Sequence, residues 1–224
     1  MRMTRLSCIG AAVLALSVSF AASAGAQACL GYPSFRRGAV RLNVGAYNSK
    51  DGQAYAGAVS AGRSDGVFAG IGGGIAIDDS TDVTSSAVTL EGGYQISLFG
   101  SGAQLCPIVG AGLIFGPYDL DGIDYTTVIA TGGLALGLPY SLSSGMRVVP
   151  NVAVRYEYDS QKQLLVAGGE ALRANQSFGV VDVGFAWVIR DAFSIQPTWQ
   201  KAFGLDQPDD GSFGILLSLR VPWR

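Results

Sequence analysis

In 224 residues the chain carries 32 glycines, only 14% charged residues and a formal net charge of −2. Glycine is about twice its ordinary ~7% and charge is well below the usual ~25%. No basic patch or stripe runs along the chain, which argues against a nucleic-acid partner. Histidine is absent, and with it the usual general base and the commonest metal ligand.

Residues 1–26 have the form of a secretory leader. Arg2 and Arg5 precede an apolar run from Ile9 to Phe20, and Ala24-Gly25-Ala26 supplies a small-x-small cleavage site. The apolar run is short for a membrane anchor. Ala26-Gln27-Ala28-Cys29 is a poor lipidation box, because Ala26 stands where a branched apolar residue is usual. Removing the leader takes two arginines and no acid, for a net charge of about −4. It also takes Cys8, leaving Cys29 on a lead-in (residues 27–38) and Cys106 in the body. An even pair of cysteines in an exported chain predicts a disulfide.

The body, residues 39–224, reads as strand after strand. The segments are Ala39–Asn48, Gln53–Gly62, Val67–Asp78, Val83–Leu98, Gln104–Phe115, Tyr125–Leu138, Arg147–Asp159, Ser177–Arg190, Phe193–Phe203 and Ser212–Trp223. Their side chains alternate. Val88, Leu90, Tyr94, Ile96 and Leu98 share one parity, while Thr89, Glu91, Gly93, Gln95 and Ser97 share the other. Many segments exceed the usual five to six residues and match the roughly 9–11 tilted residues that cross a bilayer. Gln163–Ala174 is the one candidate helix.

The connections alternate too. Residues 63–66, 99–102, 139–145 and 191–192 are tight or compact. Residues 49–52, 79–82, 116–124, 160–176 and 204–211 are more polar and mostly longer. Short periplasmic turns alternating with longer outer loops predict an all-β, antiparallel, up-and-down transmembrane barrel. About ten strands are expected, with eight as the alternative. Strands two and three are weakly patterned, and Pro150 and Pro197 each delete a ladder donor. Tyr47, Tyr94, Tyr156, Tyr158, Phe185, Trp187, Trp199 and Trp223 fall near strand ends and predict interfacial girdles.

The polar parity collects Arg41, Glu91, Arg155, Glu157, Asp182 and Arg220. In a narrow barrel these predict a lumen filled by paired charges, since an unpaired buried charge is costly. Gly70-Ile71-Gly72-Gly73-Gly74 lacks the Lys-Ser/Thr of a phosphate loop, so small residues easing a barrel wall are the simpler account. Asp119, Asp121 and Asp124 flank Gly122 in an outer loop and make a partial calcium pattern without the closing glutamate. Apart from that calcium, no cofactor is expected. The apolar Leu164-Leu165-Val166 beside Lys162 and Arg173 marks the longest loop as a place for recognition.

At its end the chain reads Ser212-x-Gly214-x-x-Leu217-x-Leu219, closing on Trp223-Arg224. Together with the strand pattern over Ala39–Trp223, this resembles the small bacterial outer-membrane barrels of the OmpX/OmpW/opacity-like group. The resemblance implies an outer-membrane location and contact with lipid and lipopolysaccharide. It also implies a monomer, and recognition of Gly214, Leu217, Leu219 and Trp223 by the barrel-assembly machinery. Family members often end in Phe, so Trp223-Arg224 is a departure. Enzymes of this architecture rely on a histidine, so the expected role is structural or surface-interactive without catalysis. A narrow porin-like channel for small polar solutes or ions is the alternative. A third reading is a soluble periplasmic barrel that binds a ligand inside.

Overall fold

The computed structural model describes residues 28–31, 39–50, 52–63, 66–79, 83–98, 102–116, 123–165, 172–205 and 210–222. The leader therefore lies outside the described residues. Ten strands make one closed antiparallel barrel. They are β1 (Ala39–Ser49), β2 (Gly52–Gly62), β3 (Val67–Asp78), β4 (Val83–Tyr94, resumed at Ile96–Ser97) and β5 (Gln104–Phe115). Then come β6 (Ile123–Gly137, resumed at Tyr140–Ser143), β7 (Met146–Leu165), β8 (Leu172–Ile189), β9 (Phe193–Phe203) and β10 (Ser212–Pro222). Each strand pairs with the next, and β10 pairs back with β1 from Ala39↔Pro222 to Ser49↔Ser212. Full closure leaves this part of the sheet no edge.

The ten-strand expectation holds, and the prolines fit it for a local reason. Pro150 accepts a hydrogen bond from the Leu138 N–H at 3.0 Å through its carbonyl. Its missing donor therefore faces the same neighbour, β6, where that strand is already broken at Leu138-Pro139. Pro197 lies where the β8–β9 ladder lapses between Gly184↔Thr198 and Trp187↔Ile195. Pro107 lies where β4 is interrupted at Gln95. All three prolines occupy positions where a neighbouring ladder is interrupted.

The faces are sorted as the alternation predicts. Val109, Leu90, Leu134, Val154, Ile215 and Phe213 point outward and are exposed, Val109 by 63% and Phe213 by 69%. Inward positions are mostly small, polar or charged, apart from a packed apolar group at one end of the barrel. The tight turns and both barrel termini share one end. There Arg190 and Asp191, with φ of 50° and 54°, make the two left-handed residues of a tight hairpin. Arg147, on the adjacent strand β7, is ion-paired to Asp191 in that turn.

Two expectations are corrected. Gln163–Ala174 is not a helix where it is described. Gln163 and Leu172 face each other at the end of the β7–β8 ladder, and the segment's short apolar run extends a hairpin whose backbone groups are already being paired. β7 thus runs on past Asp159 and β8 begins before Ser177. Tyr47 is no girdle residue. It shares the inward parity of Arg41 and Asn43 and lines the lumen.

Candidate functional site in the barrel lumen

The lumen has three layers. At the tight-turn end the interior is packed and apolar. Cys106, Ile108, Ala135, Ala153 and Phe68 point in from the wall and are buried with Cys29. Val149, Ala186 and Val188 form a second buried group. Cys29 lies in a short 3-10 turn, Ala28–Leu30, and is disulfide-bonded to Cys106, with Cα atoms 6.0 Å apart. The predicted bridge is therefore present, inside the barrel rather than on its rim. Gly31 follows with φ of +70°, and a side chain there would collide with Gln196 and Ala186. Residues 28–31 thus form a short plug, tied to the inner wall by a covalent bond.

The middle layer is polar. Ser218 Oγ donates to Asn43 Oδ1 at 2.6 Å, and Gln196 Nε2 donates to Asn151 Oδ1 at 3.2 Å. Gly184 keeps the second bond possible, since a Cβ there would sit 2.4 Å from Gln196 Nε2. Arg41 is fully buried in this layer, and Arg220 is its register partner across the β1–β10 ladder.

The upper layer holds the charges. Arg155 on β7 donates from Nε and Nη2 to a single oxygen, Asp182 Oδ2 on β8, at 3.0 and 2.8 Å. Its Nη1 lies 3.6 Å from Glu157 Oε1. Gly133 on β6 clears the space, because a Cβ there would sit 2.9 Å from Arg155 Cγ. Glu91 enters no ion pair among the described residues and is open to solvent within the lumen.

Arg155, Glu157 and Glu91 border a cavity of about 460 Å³. Its other wall is made of small residues, including Ala54, Ala56, Gly72 and Gly74 on β2 and β3. The weak pattern of strands two and three thereby gains a meaning, since small side chains there leave the space that larger ones would fill. The glycine run is part of a barrel wall, as expected, and no helix follows it among the described residues. A smaller pocket of about 100 Å³ shares Asn43, Thr89 and Glu91 with the cavity and is lined also by Phe68 and Arg41. The described lumen is shaped as a cup, and the plug lies beneath its floor.

All six predicted lumen charges face inward, but they do not form one network. Arg155, Asp182 and Glu157 gather on β7 and β8, while Arg41 and Arg220 stand on the β1–β10 seam. Leu217 and Leu219 face outward. Gly214 faces inward and seats the Tyr47 ring, whose Cδ1 would lie 2.5 Å from a Cβ at Gly214. Trp223, Asp119 and Asp121 lie outside the described residues, and Asp124 stands opposite Leu164 at the far end of β6. Tyr47 is expected in a girdle, and Asn43 and Gln196 are not singled out in the sequence. Parity with Arg41 would have found the first two, and parity with Ser194 and Thr198 the third.

No family model matches the chain, and no curated protein matches it. Solved barrels do. The β-domain of the Bordetella autotransporter Brka is 14% identical, with 81% of this chain and 97% of that one covered at a TM-score of 0.46. The translocator domain of the autotransporter NalP from Neisseria meningitidis is 11% identical, with 98% and 95% covered at 0.43. The N-terminal β-barrel domain of Pseudomonas aeruginosa OprF is 10% identical, with 82% and 98% covered at 0.37. None of these proteins' roles is carried over to this chain, and its architecture rests on its own continuous, closed ladder.

Proposed function

We propose that this chain is an outer-membrane barrel with a closed lumen, serving structurally or through surface contacts and without catalysis. The observation that carries the reading is an apolar outer wall around a polar interior that stops at a tethered plug. An outward belt of Leu, Ile, Val and aromatic side chains suits hydrocarbon and would be costly in water. A soluble ligand-binding barrel would need the opposite sorting. The tight-turn end is then periplasmic, where an oxidising compartment suits the Cys29–Cys106 bridge. Lipid and lipopolysaccharide would cover the belt, and Gly214, Leu217, Leu219 and Trp223 would form the assembly signal of a monomeric barrel. The lack of histidine supports the absence of acid–base catalysis.

One observation favours a second reading, a narrow channel. The cavity beside Glu91 and Arg155 is polar and reached by solvent. Conduction through it would require Phe68, Arg41 and the plug to move.

The test is gel mobility of the detergent-extracted protein, unheated against boiled, followed by planar-bilayer recording. A heat-dependent shift with no discrete conductance is the expected result. A discrete conductance altered by Glu91→Gln or Arg155→Gln would replace the closed barrel with the channel. A protein that leaves the membrane fraction without detergent would sink both.

A further inference from the structure

Arg41 and Arg220 face one another across the seam that closes the barrel. Both lie on the inner face, where directly opposed side chains have Cβ atoms about 4.5–5.5 Å apart. Like charges in that position repel. Arg41 has partners of its own. On the half-buried Arg220, Nε and Nη1 are themselves buried and meet no hydrogen-bond acceptor among the described residues. Its backbone N–H is used, donating to the Ala192 carbonyl at 2.7 Å. The acid in the adjoining turn, Asp191, is already paired with Arg147. A guanidinium with two buried, unmatched donors beside a second guanidinium is a costly arrangement unless an anion completes it.

We propose that Arg220, with Arg41 behind it, forms an oxyanion site at the tight-turn end of the barrel seam. The ligand class is phosphate, either free or as a lipid phosphodiester. The planar fork of arginine matches two oxygens of such a group, and its charge offsets the repulsion within the pair. Ser218 and Asn43, buried two residues further along the same seam, keep the neighbouring wall polar. The site is separate from the Arg155 cluster, and it holds whether or not the barrel conducts.

The experiment uses the full folded barrel in neutral-detergent micelles. Inorganic phosphate is titrated against chloride at constant ionic strength, and the temperature of the unheated-to-boiled mobility change is read. A second arm adds phosphatidylglycerol to the micelle in place of free phosphate. The expected result is a saturable rise in one or both arms, and the arm that responds identifies the source. R220Q should weaken the response about tenfold or more. R190Q, altering an exposed arginine in the nearby turn, should keep it. Without added anion R220Q should be at least as stable as the parent, because it removes an uncompensated charge. The proposal is overturned by no saturable rise in either arm, by an equal rise in R220Q, or by an R220Q barrel less stable than the parent before any anion is added.

Discussion

Arg155 meets Asp182 through two donors on one oxygen, Nε at 3.0 Å and Nη2 at 2.8 Å, across the β7–β8 ladder. The two side chains keep 23% and 21% of their surface accessible. The pair is therefore mostly withdrawn from water, though it borders a wet cavity. Removing one partner strands the other, so Asp182→Asn or Arg155→Gln should lower stability by about 2–4 kcal/mol, near the lower end of the range for buried pairs. The double variant should recover part of that loss. Refolding in urea, followed by gel mobility, gives the comparison, and strict additivity would mean that the pair is not coupled.

Gly132 and Gly133 are neighbours with opposite tolerances. A Cβ at Gly132 meets nothing within 4 Å. A Cβ at Gly133 would fall on the Val154 carbonyl oxygen and press on the Arg155 stem. Gly133→Ala should cost about 1–3 kcal/mol through overpacking, whereas Gly132→Ala should leave the barrel's unfolding midpoint within error.

The disulfide should resist reductant until the barrel opens, because Cys29 and Cys106 are almost wholly buried. Unheated samples with and without dithiothreitol should run alike, and boiled samples should run apart. The bridge spans a sequence separation of 77 residues, so Cys29→Ser should cost up to about 4.5 kcal/mol by loop-closure entropy. Free reduction of the folded protein within minutes would contradict the buried plug.

Adjacent residues on β4 should divide by face. Leu90, 58% exposed on the outer wall, should tolerate charge poorly, with Leu90→Lys costing about 2–4 kcal/mol near mid-membrane. Thr89 lines the cavity, so Thr89→Lys should fold nearly as well as the parent. Equal losses at both sites, measured by folding into lipid vesicles, would argue against the membrane belt.

Much of this architecture was legible from period alone. Leu90 and Glu91 differ by one residue and by one whole face, and that contrast repeats along most strands. The sequence also pointed to the Cys29–Cys106 bridge from cysteine number and export. It was less informative where pairing overrides local composition. Gln163 and Leu172 look like part of a helical connection until their ladder partners are known. Tyr47 looks interfacial by residue type, while its seat over Gly214 comes from a strand more than 160 residues away. The cup could not be foreseen because it is an absence, made by Ala and Gly on two strands facing charges on two others.

The seam from Ala39↔Pro222 to Ser49↔Ser212 joins the first strand to the last. Until β10 has been synthesised and placed, β1 and β9 are both raw edges, with the amides and carbonyls of neither satisfied from that side. The loop to be closed spans nearly the whole body, which makes the final step slow and exposed to misassociation. A chain shortened by its last hairpin should therefore not give a smaller stable barrel, but an open sheet seeking a strand. Safe biogenesis of this molecule thus depends on keeping β1 sheltered while its partner is awaited.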